Sequence, residues 1–129
     1  MFLDANVLFS AAYLPGAGLL RLWKTRGIRL IASAHAVEEA RFNLRERDAR
    51  RRLEELLEDL DVVPEGPERP LPSGVVLPAE DRPILLSAIA AGAAFLLTGD
   101  KRHFGPYYGK RIEGVLVLPP DEFLRLRSR

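Results

Sequence analysis

The sequence predicts an α/β fold: a short-stranded parallel sheet covered on both faces by helices. Three observations lead there. Short apolar runs alternate with helical patterns along the whole chain. Two of those runs, FLLT and VLVL, are apolar at successive positions, as strands buried on both faces are. The chain has 129 residues, 47% of them hydrophobic and 29% charged, enough for one core and too few for two. We therefore treat residues 1–129 as one domain.

The elements follow in order. Met1–Asp4 is a first strand ending in an acid. Asn6–Tyr13 reads as a short helix, stopped by Pro15 and Gly16. Leu19, Leu20, Leu22 and Trp23 form a helical stripe that ends at Gly27, a core or homodimer face. Ile28–Ala32 is a second strand, and Ser33 is suited to cap the next helix. Ala34–Leu44 and Arg45–Leu60 are helical; Leu53, Leu56, Leu57 and Leu60 share one face. Asp61–Val63 is a third strand. The segment 64–78 holds five of the ten prolines and two glycines, which predicts a surface connection and the most mobile part of the chain, with a short extended stretch at Val75–Leu77. Asp81–Ala91 is a helix with Pro83 in its first turn and Gly92 just past its end. Phe95–Thr98 and Val115–Leu118 are buried strands, and Asp121–Arg127 is a last helix opened by Pro119 and Pro120.

Composition excludes several chemistries. There is no cysteine, so disulfides, thiol catalysis and cysteine-ligated metals are absent. The net charge is +1, so any nucleic-acid surface is local. No apolar run is long enough for a membrane span, and the opening MFLDANVLFS lacks a basic leader. These features point to a cytoplasmic protein.

Ligands of parallel sheets collect outside the carboxyl ends of the strands. Asp4 closes the first strand and Asp100 follows FLLTG. Glu39 and Asp81 fall near helix starts, and Asn6 stands two residues after Asp4. Read singly, each acid is an ordinary cap or solvated residue, and Glu38 or Glu80 is an alternative to its neighbour. Read together, four carboxylates in one cleft need a cation. An oxygen-only donor set selects Mg²⁺ or Mn²⁺ and suits phosphoryl transfer.

At these residues the chain resembles the PIN-domain family of small metal-dependent ribonucleases, which includes VapC-type toxins. FLDANVLFSA resembles its first block. IASAHAVEEARFNL resembles its second and places the acid at Glu39. AEDRPILLSAIAAGAAFLLTGDKRHFG resembles its third and fourth, and VLVLPPDEFL its last strand and helix. The resemblance implies a single three-layer α/β/α PIN-like domain. It further implies Mg²⁺ or Mn²⁺ held by Asp4, Glu39, Asp81 and Asp100, with Asn6 and Thr98 in support. The activity implied is RNA cleavage leaving 5′-phosphate and 3′-hydroxyl ends. It also implies an antitoxin partner and a homodimer.

Around this site, Arg82, Lys101 and Arg102 are candidate phosphate contacts. His103 is imaginable as a base, although a metal-activated water needs none, and His35 suits a polar contact at its helix start. Tyr107 and Tyr108 either stack on bases or pack in their turn. Six arginines against two acids between Arg41 and Arg52 are either a phosphate-tracking surface or a solvated helix laced with pairs such as Glu46–Arg50 and Asp48–Arg52. Arg125, Arg127 and Arg129 form a basic tail. A haloacid-dehalogenase-like phosphatase is disfavoured because Asn6 stands where a second acid is needed. A receiver domain is disfavoured because its middle strand would end without a phosphoacceptor. A PIN-like module that binds RNA or protein without cutting is the remaining alternative.

Overall fold

The computed structural model describes residues 1–16 and 18–127. Six strands form one sheet in the order β3-β2-β1-β4-β6-β5. They are β1 (Phe2–Leu3), β2 (Ile31–Ser33), β3 (Asp61–Val63), β4 (Phe95–Leu97), β5 (Arg111–Ile112) and β6 (Val115–Leu118). Four pairings are parallel, and β5 joins β6 antiparallel. The helices are α1 (Ala5–Tyr13), α2 (Ala34–Asn43), α3 (Arg47–Leu57), α4 (Arg82–Ala90), α5 (Lys101–Phe104) and α6 (Pro120–Arg127).

Strand residues alternate between two cores, because side chains of a strand point to opposite faces in turn. Ile31, Phe2, Leu96 and Val117 stand in register across four strands. They pack on Leu85 and Ala88 of α4 and Phe104 of α5. Leu3, Leu97 and Leu118 face the other way. They meet Val7 and Leu8 of α1, Val37 and Ala40 of α2, Leu53 of α3 and Phe123 of α6. The result is three layers, α/β/α, with a mostly parallel sheet in the middle.

The differences from expectation have local causes. The Leu19–Trp23 stripe forms a 3₁₀ helix over Leu19–Lys24 rather than an α-helix, and it belongs to the core: Leu22 is buried and the Trp23 indole donates to the Leu56 carbonyl at 2.9 Å. Strand β2 begins three residues later than predicted and runs through Ser33, whose hydroxyl still caps α2 by accepting from Ala36 N–H. Asp81 ends a 3₁₀ turn, Ala79–Asp81, and α4 starts after it. The β5–β6 hairpin was not foreseen; it closes through Glu113 and Gly114, both at positive φ (46° and 89°), as the favoured two-residue hairpin turn requires. Of the basic tail, Arg125 pairs with Glu122 and Arg127 donates to the Arg26 carbonyl; Arg129 lies outside the described residues.

The arginine-rich run is largely structural. Arg41 pairs with Glu38 and forks onto Glu54, tying α2 to α3. Arg50 donates to the Leu44 carbonyl at the end of α2, and Arg52 to the Ala12 carbonyl at the end of α1. Carbonyls at helix ends lack partners within the helix, so these two arginines satisfy them. Arg51 pairs with Asp48. Neither Glu46–Arg50 nor Asp48–Arg52 forms, and among the described residues only Arg45 and Arg47 of the six stand exposed without an ion pair or hydrogen-bonded side chain.

The proline-rich connection makes hydrogen bonds and ion pairs to the body of the fold at several points. Glu65 accepts from the His35 backbone N–H, and Gly66 N–H donates to the Ser87 hydroxyl. Arg69 pairs with Glu113, and its carbonyl accepts from Arg82. Tyr107 exchanges two hydrogen bonds with the backbone of Val76, and Leu77 is buried. Gly66 lies so close to α4 that a Cβ there would sit 2.9 Å from the Leu86 carbonyl oxygen and 3.1 Å from Ser87 Cα. Those are backbone atoms of a helix and cannot swing aside. We predict that Gly66→Ala destabilises the fold by roughly 1–3 kcal/mol, the usual cost of overpacking. The midpoint of urea denaturation measures it, and an unchanged midpoint would mean that this end of the connection is free to move.

Candidate functional site

The sheet order sets the place of the site. From β1 the chain builds outward through β2 and β3, then returns to β4 on the other side of β1. Helices leaving β1 and β4 diverge there, which opens a crevice at the carboxyl ends of those two strands. Asp4 follows β1, and Thr98, Gly99 and Asp100 follow β4.

Both strand-end acids do cap their helices, each with one oxygen. Asp4 Oδ1 accepts from Ala5 N–H at 2.7 Å and Asp100 Oδ1 from His103 N–H at 3.1 Å. The second oxygen of each is left for the crevice. Asp4 Oδ2 accepts from the Thr98 hydroxyl at 2.8 Å and the Asn6 amide at 3.2 Å. Thr98 is fully buried; its hydroxyl also accepts from Asp100 N–H at 3.1 Å, and its carbonyl accepts from Tyr108 Oη at 2.7 Å. Asn6 Oδ1 accepts from Gly99 N–H at 2.8 Å. Asn6 and Thr98 thus clasp the ends of β1 and β4 and fix the Asp4 carboxylate.

Asp81 stands at the head of α4 and makes no capping bond. Its carboxylate meets Asp100 across His103: Nδ1 of the ring lies 2.7 Å from Asp81 Oδ2 and 2.9 Å from Asp100 Oδ2. That nitrogen carries at most one hydrogen, so the two carboxylates share it. Oδ2 of Asp81 is buried, and the ring nitrogen is its near partner. Asp81, Asp100 and His103 each offer one potential ligand atom, and these atoms lie within 4.8 Å of one another.

Glu39 completes the predicted set on a different footing. It projects from the sixth position of α2, its side chain half exposed, 4.0 Å from His35 Nε2. A cavity of about 210 Å³ is lined by Asp4, Glu39 and Asp81 together with Glu65 and Glu80. Sequence reasoning gave no site role to Glu65 and assigned Glu80 only as a substitute for Asp81. It also passed over His103 as a partner of the acids, although D-K-R-H at a helix start puts that ring one turn above Asp100.

The electrostatics record the crowding. Burial pushes the Asp4 carboxyl up to about 6, with Glu39 and Asp81 adding to the rise and the Thr98 and Ala5 hydrogen bonds opposing it. Burial and the charge of Asp100 also raise Asp81, while His103 works the other way. Burial, then Asp100, raises the Tyr108 phenol. The candidate phosphate contacts divide. Lys101 and Arg102 are exposed on α5 without ion-pair partners among the described residues. Arg82 instead reaches the Arg69 carbonyl and Glu68 on the proline-rich connection. Tyr107 and Tyr108 hydrogen-bond within the fold, so their ordered role is packing.

A family model for the PIN domain matches residues 1–102. The chain belongs to the PIN-domain family. No curated protein matches it significantly. The matched segment carries all four predicted acids, and it ends one residue before His103. PIN domains are in general nucleases, and an acidic crevice at the sheet's switch point fits a nuclease-type domain. The donor chemistry fits a hard divalent cation. The raised carboxyls of Asp4 and Asp81 mark places where positive charge would be stabilising.

Because Asp4 holds its proton to about pH 6 when folded and to about 3.8 when unfolded, the unfolded chain releases it first as pH rises. Stability of the metal-free protein therefore falls between about pH 4 and 6 on account of this group. Asn keeps the cap without the charge. We predict that Asp4→Asn, in chelator, gains on wild type by up to about 3 kcal/mol between pH 4 and pH 7. Urea denaturation of both proteins across that range checks it; a pH-independent difference would mean an ordinary Asp4.

Proposed function

We propose that this PIN domain is a Mg²⁺- or Mn²⁺-dependent endoribonuclease acting in the cytoplasm, the toxin of a type II toxin–antitoxin pair. The observation that supports the nuclease reading is the crowding of carboxylates: Asp81 Oδ2, buried and bridged to Asp100 by the His103 ring, lies in a crevice shared with Asp4 and Glu39. Carboxylates packed in this way repel one another unless positive charge neutralises them.

In this reading Asp4, Glu39, Asp81 and Asp100 hold the metal. When bound, the ion supplies positive charge for the scissile phosphate and lowers the pKa of the attacking water. Asn6 and Thr98 keep Asp4 aimed. Lys101 and Arg102, next to Asp100 and free of ion pairs, contact substrate phosphates. His103 orients Asp100. Arg82 anchors the connection that walls the cleft, and its phosphate role is correspondingly reduced. The toxin assignment rests on the resemblance to VapC-type proteins. An antitoxin partner and a homodimer belong to the same proposal, and a neighbouring antitoxin gene would support them.

The test is calorimetric titration of Mn²⁺ and Mg²⁺ into wild type and the Asp4→Asn/Asp100→Asn double variant, followed by incubation of both with pooled RNA. Wild type should bind metal and cleave; the variant should lose binding and lose activity by roughly 100-fold or more, the scale of several kcal/mol of charge stabilisation. Metal binding without cleavage would favour a binding module. Cleavage that survives chelation would overturn the mechanism.

A further inference from the structure

A second cavity opens beside the metal cleft. It has a volume of about 390 Å³ and is lined by Ala5, Asn6 and Phe9 of α1 and by Glu39 and Asn43 of α2. Ala5 and Glu39 line both cavities, so the two adjoin across a shared wall. The wall residues repeat at helical spacing: Ala5 and Phe9 on one helix, Glu39 and Asn43 on the other. The volume lies in the range of about 300–1,000 Å³ that small ligands occupy.

The lining is chemically specific. Phe9 offers an aromatic ring, backed by Tyr13 stacked against it at 5.3 Å between centroids and 15° between planes. Asn43 is exposed, and among the described residues its side-chain amide has no hydrogen-bond partner. It carries one acceptor and two donor hydrogens. Among the described residues the only charged one lining this cavity is Glu39, so the site does not suit a phosphate. An aromatic ring beside a free amide is how proteins hold an unstacked base: the ring takes the base face and the amide takes its edge.

We propose that this cavity is a nucleobase subsite, which seats the base of a nucleotide flanking the scissile phosphate and prefers adenine. It rests on the ribonuclease reading of the adjoining cleft. The preference follows from donor and acceptor order: a carboxamide pairs in bidentate fashion with the amino group and N7 of adenine. A carboxylate at the same place has acceptors only, and matches the paired N–H donors of guanine.

The test uses a randomised single-stranded RNA pool cleaved with Mn²⁺ by wild type and by Phe9→Ala, Phe9→Leu, Asn43→Ala and Asn43→Asp, with the product ends sequenced. Phe9→Leu retains apolar packing against the core while removing the ring. Wild type should enrich adenine about fivefold or more at one fixed position. Asn43→Ala and both Phe9 variants should lose that enrichment with a raised KM, and Asn43→Asp should turn it toward guanine. A uniform profile from an active wild type overturns the subsite and leaves the nuclease standing. If wild type cleaves nothing, anisotropy of labelled oligoadenylate and oligouridylate hexamers in Ca²⁺ decides. Tighter adenylate binding that depends on Phe9 and Asn43 supports the subsite apart from catalysis, and equal or absent binding overturns it. A change in oligomeric state in these variants, with RNA behaviour unaltered, would make the cavity a protein contact and overturn the proposal.

Discussion

The clasp between the ends of β1 and β4 is the constraint on which the site depends. The backbone ladder between these strands closes with Asp4 N–H donating to the Leu97 carbonyl at 3.0 Å. Beyond that rung the chains must part, because one enters α1 and the other turns toward α5. Side chains take over where the ladder stops: Thr98 and Asn6 hold Asp4, and Gly99 N–H returns to Asn6. Every member is short and polar, and the hub, Thr98, is fully buried. A buried network of this kind is stabilising only when each group is satisfied. Here it is, and one consequence is a carboxylate whose rotamer is fixed before any ligand arrives.

Around that clasp the protein accumulates negative charge at a cost to its own stability. Asp4 is raised to about 6 by burial and by its neighbours, and Asp81 is raised in the same direction. The fold offsets this elsewhere. Two arginines that look like an RNA surface in the sequence close the ends of α1 and α2, and a third forks onto Glu54. The proline-rich connection adds contacts from the other side, with Glu65 on the N-terminal turn of α2 and Gly66 seated on α4. Its prolines limit the conformations open to the unfolded chain, which favours an ordered strap over a loose one.

How much of this was legible depends on whether a feature is local. The layers followed from strand and helix order, since buried parallel strands announce themselves as apolar runs. The strand-end acids were legible for the same reason. The order of strands in the sheet, which sets the switch point, depends on long-range pairing that no local pattern carries. The β5–β6 hairpin was not, because a two-residue strand carries almost no periodicity; its only trace is the Glu113–Gly114 pair between RI and VL. Strand β2 was placed early because Ile28 and Leu30 are apolar, whereas pairing with β1 and β3 begins at Ile31. The arginine pairs were misjudged because helix spacing predicts partners within a helix and cannot see the carbonyls of neighbouring ones. His103 was undervalued because its significance comes from Asp81, which lies 22 positions earlier in the chain and meets it only through α4.

The four acids also differ in how firmly the fold holds them, and this bears on how the site works. Asp4 and Asp100 are each fixed twice, by a capping bond through one oxygen and a side-chain contact through the other. Asp81 has no capping bond and shares the His103 ring nitrogen with Asp100, and Glu39 is half exposed on the face of α2. The fixed pair grows directly from strand ends, where the backbone is most rigid. The looser pair sits on helices, Glu39 at the wall between the metal cleft and the second cavity. A cleft built this way is half preorganised and half adjustable. Under the proposed metal-dependent function, the rigid pair would set where an ion can sit, and the adjustable pair would complete its shell without forcing four like charges together beforehand. Placing Glu39 on the shared wall gives the adjustable half a second consequence: whatever occupies the second cavity bears on the same carboxylate that closes the first.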